Sequence, residues 1–227
     1  TRSISANKQG MTLPQPKAVL FDWDNTLVDT WPVIHRALHH TFETMGREPW
    51  TLEQVKQNVR QSLRDSFPQL FGDRWQEAGD VYLNAYRSLH LENLKPLAEA
   101  EQLLQYLQAT GIYTAVVSNK RGDTLRTEVA HLGWTPYFSK LVGSTDAAHD
   151  KPDPAPVHLA LEGSGITLDG GVWYVGDSDI DLQLAAATGM TPIFYGPEAL
   201  LEGGLLDGYR YHAGHRNHAS LLTALQR

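Results

Sequence analysis

The pattern of apolar and polar positions changes texture along the chain. The stretch KAVLF from Lys17 to Phe21 closes on three consecutive apolar residues, Val19, Leu20 and Phe21, and predicts a buried strand. From Trp31 to about Leu94 the pattern is helical. In WPVIHRALHHTFETMG the apolar residues Val33, Ile34, Ala37, Leu38, Phe42 and Met45 fall near the 3.6-residue period. Gly46 ends that helix, and Thr51 with Gln54 resembles a capping box for a second segment running to Leu63. Pro68 to Gly72 interrupts the pattern, and a third helix is expected over Arg74 to His90. No strand is predicted between these helices.

After Pro96 strand and helix alternate. Helices are expected over residues 98–110, 124–132, 156–162 and 179–188, and strands over 112–117, 141–142, 172–175 and 192–195. Strands joined by helices of this length imply right-handed crossovers and a parallel sheet with helices on both faces. The expected fold is therefore α/β: a Rossmann-like parallel sheet core, residues 17–30 and 95–227, with an inserted α-helical cap, residues 31–94. Such an insertion emerges at the carboxyl edge of the sheet, where open α/β sheets hold ligands, and can act as a lid there. Residues 1–16 are read as a disordered leader, because TRSISANKQG has no apolar stretch of signal-peptide type. The run YHAGHRNH, with His212, His215 and His218, is polar and Gly-interrupted and is read as an exposed loop rather than a metal site.

Composition narrows the classes. The 227 residues are 41% hydrophobic and 20% charged, enough for one core plus a substantial insertion. A formal net charge of -7 and a pI near 5.8 argue against a nucleic-acid or anionic-membrane binder, which needs a basic face. The absence of cysteine excludes disulfides and thiolate metal sites and fits a cytoplasmic protein. No run of about 18 apolar residues predicts a transmembrane helix. A monomer and a homodimer are both open.

The candidate chemistry lies at the strand ends. The first strand ends at Asp22 and Asp24, the next at Ser118-Asn119-Lys120, and a later one at Gly176-Asp177-Ser178-Asp179-Ile180-Asp181. Between the last two, Asp150-Lys151-Pro152-Asp153-Pro154 carries a lysine on a loop held extended by prolines. An unpaired carboxylate beside a core costs several kcal/mol, so a cation is expected near Asp22 and Asp24. If parallel strand ends converge on one rim, Asp22, Asp24, Asp177 and Asp181 surround one hard cation, with Mg2+ the expected ion. Lys151, Ser118 and backbone N–H groups then face an anion. Taken singly these features have plainer readings: Asp-Asn-Thr as a capped turn, Lys151 as a solvated lysine, and Asp179 and Asp181 as favourable charges at a helix N-terminus.

Taken together, four motifs in order resemble the haloacid dehalogenase superfamily: FDWDNTLVD from Phe21 to Asp29, VVSN from Val116 to Asn119, Lys151 in DKPDP, and VGDSDID from Val175 to Asp181. The helical insertion after the first motif resembles the cap of that family's phosphatase-rich subclass, with phosphoglycolate-phosphatase-like members. The resemblance implies an Mg2+-dependent phosphatase acting on a small phosphorylated metabolite through an aspartyl phosphate. It matches Asp22 to the nucleophile and Asp24 to the general acid and base, whose main-chain carbonyl also meets the metal. Asp177 matches the carboxylate metal ligand, Asp181 a residue reaching metal-bound water or orienting neighbours, and Ser118, Asn119 and Lys151 the phosphate-binding set. A phosphomutase would use the same residues, and a non-catalytic phosphate-binding module is the remaining class. The dehalogenases lack an acid at the position of Asp24, and phosphonate hydrolases replace it by a small residue, so both are disfavoured. For the leaving group, Arg60 and Arg64 are expected on one helix face as a fork for a substrate carboxylate or second phosphate, against solvated residues paired locally with Asp65. Lys120-Arg121 is a second basic candidate at the rim.

Overall fold

The computed structural model describes residues 13–196, 204–206 and 208–227. Strand β1 (Ala18–Phe21) is followed by a short β2 (Val28–Asp29) and four helices: α1 (Trp31–Thr44), α2 (Leu52–Asn58), α3 (Leu63–Phe71) and α4 (Trp75–Asn93). The chain returns through β3 (Lys95–Pro96) and then alternates: α5 (Ala100–Ala109), β4 (Tyr113–Arg121), α6 (Gly122–His131), β5 (Lys140–Ser144), α7 (Ala155–Leu161), β6 (Val172–Gly176), α8 (Asp179–Thr188) and β7 (Thr191–Tyr195). Strands β8 (Gly204–Leu206), β9 (Tyr209–Tyr211) and β10 (Ala213–His215) precede the last helix, α9 (His218–Leu225).

The main sheet has the order β10-β7-β6-β1-β4-β5, and every pairing in it is parallel. All residues of β1 are buried because alternate side chains enter opposite helical layers. Val19 and Phe21 pack with Leu103 and Leu107 of α5, Leu125 and Val129 of α6 and Leu221 of α9. Ala18 and Leu20 pack on the other face with Val157 and Ala160 of α7 and Leu184 of α8. The expected parallel core is present, with Asp22 following its central strand.

Helices α1 to α4 form the inserted cap, with a separate apolar cluster that includes Val33, Ile34, Ala37, Leu38, Phe42, Phe67 and Tyr86. Its two connections run side by side, since β2 and β3 pair antiparallel through Val28↔Pro96 and Asp29↔Lys95. The Thr51–Gln54 capping box forms, with the Gln54 N–H donating to Thr51 Oγ1 at 3.3 Å and the Thr51 N–H to Gln54 Oε1 at 2.8 Å. The helix it starts ends at Asn58 rather than Leu63, because Val59 turns extended and Ser62 begins α3 afresh. Helix α3 then runs through Pro68, where an interruption was expected. An interior proline costs about 3 kcal/mol, and burial of Phe67 against Phe71 and Tyr82, at ring separations of 5.1 and 5.5 Å, offsets it.

The C-terminal histidine segment also differs from the expected loop. Ala213 to His215 adds an edge strand beside Ile193 to Tyr195, His215 and His218 are buried, and His218 stacks on Tyr195 at 4.5 Å. Three residues are too few to display a strand period, so the pairing partner decides their structure. Of the leader expected over residues 1–16, residues 1–12 lie outside the described residues. Leu13 packs on the core, the Gln15 amide donates to the Leu225 carbonyl at 2.8 Å, and Pro16 is buried. No helix among the described residues is long and apolar enough to cross a membrane.

Candidate active site

Parallel strands deliver their C-terminal residues to one rim. Phe21 stands beside Val116 of β4 and Val175 of β6, so Asp22, Ser118 and Asp177 emerge together. The Asp22 N–H donates to the Val175 carbonyl at 2.9 Å and carries the ladder one residue further. Glycine is required at 176, where a Cβ would overlap the Asp181 carboxyl group. That close approach lets the first turn of α8 close over the strand end.

Beyond Asp22 the chain makes a single tight turn. The Leu27 N–H donates to the Trp23 carbonyl at 3.0 Å, and Asn25, at φ 59°, adopts the left-handed conformation that asparagine tolerates better than most residues. Asn25 Oδ1 accepts from the Thr30 N–H at 3.1 Å, tying the turn to the start of the cap. The turn sends Asp24 to the cap side of the rim.

Lys151 is buried in the centre. Its Nζ lies 3.0 Å from Asp22 Oδ1, 2.8 Å from Asp181 Oδ1 and 3.0 Å from the Tyr174 hydroxyl, which itself donates to the Val117 carbonyl. Asn119 clamps the lysine backbone: its Oδ1 accepts from the Lys151 N–H at 2.9 Å and its Nδ2 donates to the Lys151 carbonyl at 3.1 Å. The side chain expected to bind substrate is thus engaged in positioning Lys151. Asp181 combines two of its expected functions. Its Oδ2 accepts from the Ser178 N–H and hydroxyl at the start of α8, while Oδ1 meets Lys151.

Asp22, Asp177 and Asp181 each offer an oxygen within 4.8 Å of the others. Burial pushes the Asp22 carboxyl up to about 7, with Asp181 and Asp24 adding to the rise and Lys151 opposing it. Burial, with Asp181 and Asp22, likewise raises Asp177 well above its ordinary value. Asp22 and Asp181 are buried and share Lys151, and the half-buried Asp177 adds a third carboxylate; one lysine under-compensates the trio, and an all-oxygen set of this kind fits a hard divalent cation. The carboxylate of Asp24 is not among them: its Oδ1 accepts from Lys120 Nζ at 2.6 Å.

Arg60 and Arg64 do not form the expected fork. Arg60 lies between α2 and α3 and donates to Asp179 Oδ1 at 2.7 Å, while Arg64 in α3 makes a bidentate pair with the buried Asp150 at 2.5 and 2.6 Å. Each fastens the cap to the core. Arg64→Ala leaves Asp150 without its charge partner and is expected to lower stability by about 1–3 kcal/mol. Chemical denaturation checks this, and an unchanged midpoint would show that the clasp contributes nothing.

Between cap and core lies a cavity of about 240 Å3, with Asp22, Asp24, Ser118 and Lys151 on the core side and Trp31, Ile34, Phe67 and Tyr82 on the cap side. Lys120 was expected only as a basic candidate at the rim, and no expectation fell on Glu128. Glu128 is fully buried, and although burial opposes ionisation, Lys120 and hydrogen bonds from His90, Lys120 and Trp23 hold its carboxyl down at about 2. The available signal was an acid on the apolar face of α6, between Leu125 and Val129.

Residues 19–194 match the family profile for haloacid dehalogenase-like hydrolases. The chain is 33% identical over 179 residues to a phosphoglycolate phosphatase of Xylella fastidiosa, covering 77% of this chain and 78% of that protein. It is 31% identical over 166 residues to a candidate pyrophosphatase of Clostridium perfringens, covering 73% and 77%. The crystal structure of a haloacid dehalogenase-superfamily hydrolase from Ehrlichia chaffeensis superposes with a TM-score of 0.63 at 32% identity, over 94% of this chain and 98% of that one. The chain belongs to the haloacid dehalogenase-like hydrolase family.

Proposed function

We propose that this protein is an Mg2+-dependent phosphatase that hydrolyses a small-molecule phosphomonoester through an aspartyl phosphate on Asp22. The observation that carries the reading is the convergence on one cavity of Asp22, Asp24, Ser118 and Lys151 beside the acidic trio of Asp22, Asp177 and Asp181. Asp22 attacks phosphorus as the carboxylate, the form that Lys151 and a bound cation would favour over the protonated one. Its carboxylate forms the new P–O bond while the P–O bond to the leaving alcohol breaks. Asp24 gives its proton to that leaving oxygen, then takes one from the water that attacks the phosphoenzyme and frees Asp22. Lys151 and the Ser118 hydroxyl hold the transferring phosphoryl oxygens, with Asn119 fixing Lys151 from behind.

Asp22, Asp177 and the main-chain carbonyl of Asp24 would hold Mg2+, with Asp181 close enough to orient its water. The ion would screen the phosphate from the carboxylate that attacks it. Phosphoglycolate is the first compound to test, since the Xylella relative bears that name.

A panel of phosphorylated metabolites assayed for phosphate release with Mg2+ tests the reading. Release from at least one monoester, lost on chelation and restored by Mg2+, is expected. No release from any monoester in saturating Mg2+ would refute the phosphatase assignment.

A further inference from the structure

A closed polar network joins the cap to Asp24, and its centre, Glu128, is assigned no part in the reaction above. Glu128 Oε2 accepts from the Trp23 indole N–H at 2.7 Å and from Lys120 Nζ at 2.8 Å. Its Oε1 accepts from the Tyr86 hydroxyl at 3.0 Å and from the His90 Nδ1–H at 2.8 Å. Lys120 gives its remaining N–H groups to Asp24 Oδ1 and to the Tyr86 oxygen, each at 2.6 Å. The donors of the ammonium and the four acceptor sites of the carboxylate are all used, so one arrangement satisfies every group. The contributors come from both parts of the molecule. Trp23 stands between Asp22 and Asp24 and Lys120 is the penultimate residue of β4, whereas Tyr86 and His90 lie one turn apart on the inner face of α4.

A buried ion pair adds little net stability over apolar residues of equal volume, yet it fixes geometry strongly when every member is satisfied. We infer that Glu128 is a positioning residue that makes the competence of Asp24 depend on the seating of cap helix α4. With α4 seated, Tyr86 and His90 complete the surroundings of Glu128, Glu128 holds Lys120, and Lys120 holds Oδ1 of Asp24. The other carboxylate oxygen of Asp24 is thereby aimed at the water that hydrolyses the phosphoenzyme. When α4 moves away, Glu128 loses two donors and Lys120 loses an acceptor, and the grip on Asp24 loosens. Dephosphorylation is then coupled to cap closure. This inference rests on the roles proposed above for Asp22 and Asp24.

The test is rapid-mixing kinetics with para-nitrophenyl phosphate and Mg2+. That leaving group departs without needing a proton, so only the second step needs Asp24. In Glu128→Gln the first equivalent of nitrophenolate is expected to appear at nearly the wild-type rate, followed by steady turnover slowed at least about 10-fold, because a mispositioned base forfeits part of a contribution of roughly 10²–10⁴. His90→Leu and Tyr86→Phe are expected to show the same burst with a smaller loss. Tyr86→Phe, which removes a single oxygen atom, keeps the test decisive if Glu128→Gln does not fold. A parallel fall of burst and steady rates, or unchanged steady rates, would overturn the positioning role alone. A wild-type enzyme that releases neither nitrophenolate here nor phosphate from any monoester of the panel would overturn the phosphatase reading and this inference with it.

Discussion

Asp22→Asn is expected to yield a folded protein whose phosphate release falls by about 10⁴-fold or more, because the amide is a poor nucleophile at phosphorus and cannot form the aspartyl phosphate. The fold should survive, since Asp22 caps a strand whose other residues are fully buried and an asparagine still accepts from Lys151. Stability carries its own signature. Burial first, with Asp181 and Asp24 adding to it, raises the Asp22 carboxyl from 3.8 to about 7 without metal. A group raised in this way contributes stability that is present below pH 3.8 and lost as pH rises through 7, because the unfolded chain then holds fewer protons than the folded one. Metal-free Asp22→Asn should therefore be more stable than the wild type at neutral pH, with the advantage vanishing in acid. Thermal unfolding across that range checks the stability claim, and retained turnover would exclude Asp22 as the nucleophile.

Lys151→Met is the second large effect. The ammonium is 3% exposed and is the cation shared by Asp22 and Asp181, which are themselves almost wholly buried. Methionine fills similar volume but leaves two desolvated carboxylates facing each other, and breaking a buried pair from one side costs about 3–5 kcal/mol. Turnover should be lost as well, because the phosphoryl oxygens lose their charged partner. Mg2+ should recover part of the stability and none of the activity, since a cation can compensate the acids but cannot replace a donor in the position of Nζ. Denaturant titration with and without Mg2+ measures both terms. Wild-type stability in this variant would mean that the Lys151 pairs contribute nothing to the fold.

The parts of the molecule legible in the sequence are those with short-range signals. The buried run at Val19-Leu20-Phe21, the strand–helix alternation after Pro96 and the acids at strand ends all follow from patterns a few residues long. Convergence of those ends followed from parallel pairing, and the register Phe21↔Val116 and Phe21↔Val175 realises it. What escaped depends on partners distant in sequence. Helix α3 survives Pro68 because Tyr82 of α4 packs beneath it, and β10 exists because β7 offers an edge. Arg60 and Arg64 looked like a fork on one helix, yet their partners, Asp179 and Asp150, lie beyond position 145 and no local pattern connects them. Glu128 is the extreme case, since its four donors come from positions 23, 86, 90 and 120 and only folding assembles them.

The central claim is that the phosphoryl group passes through Asp22. Asp24→Asn, which lacks the base for the second step, should accumulate the phosphoenzyme when mixed with Mg2+ and para-nitrophenyl phosphate, whose leaving group needs no proton from Asp24, and quenched in acid. Peptide mass spectrometry is expected to find one phosphoryl group per chain, on the peptide containing Asp22. A phosphoryl group on any other residue, or continued phosphate release with no covalent phosphate on the protein, would contradict the account.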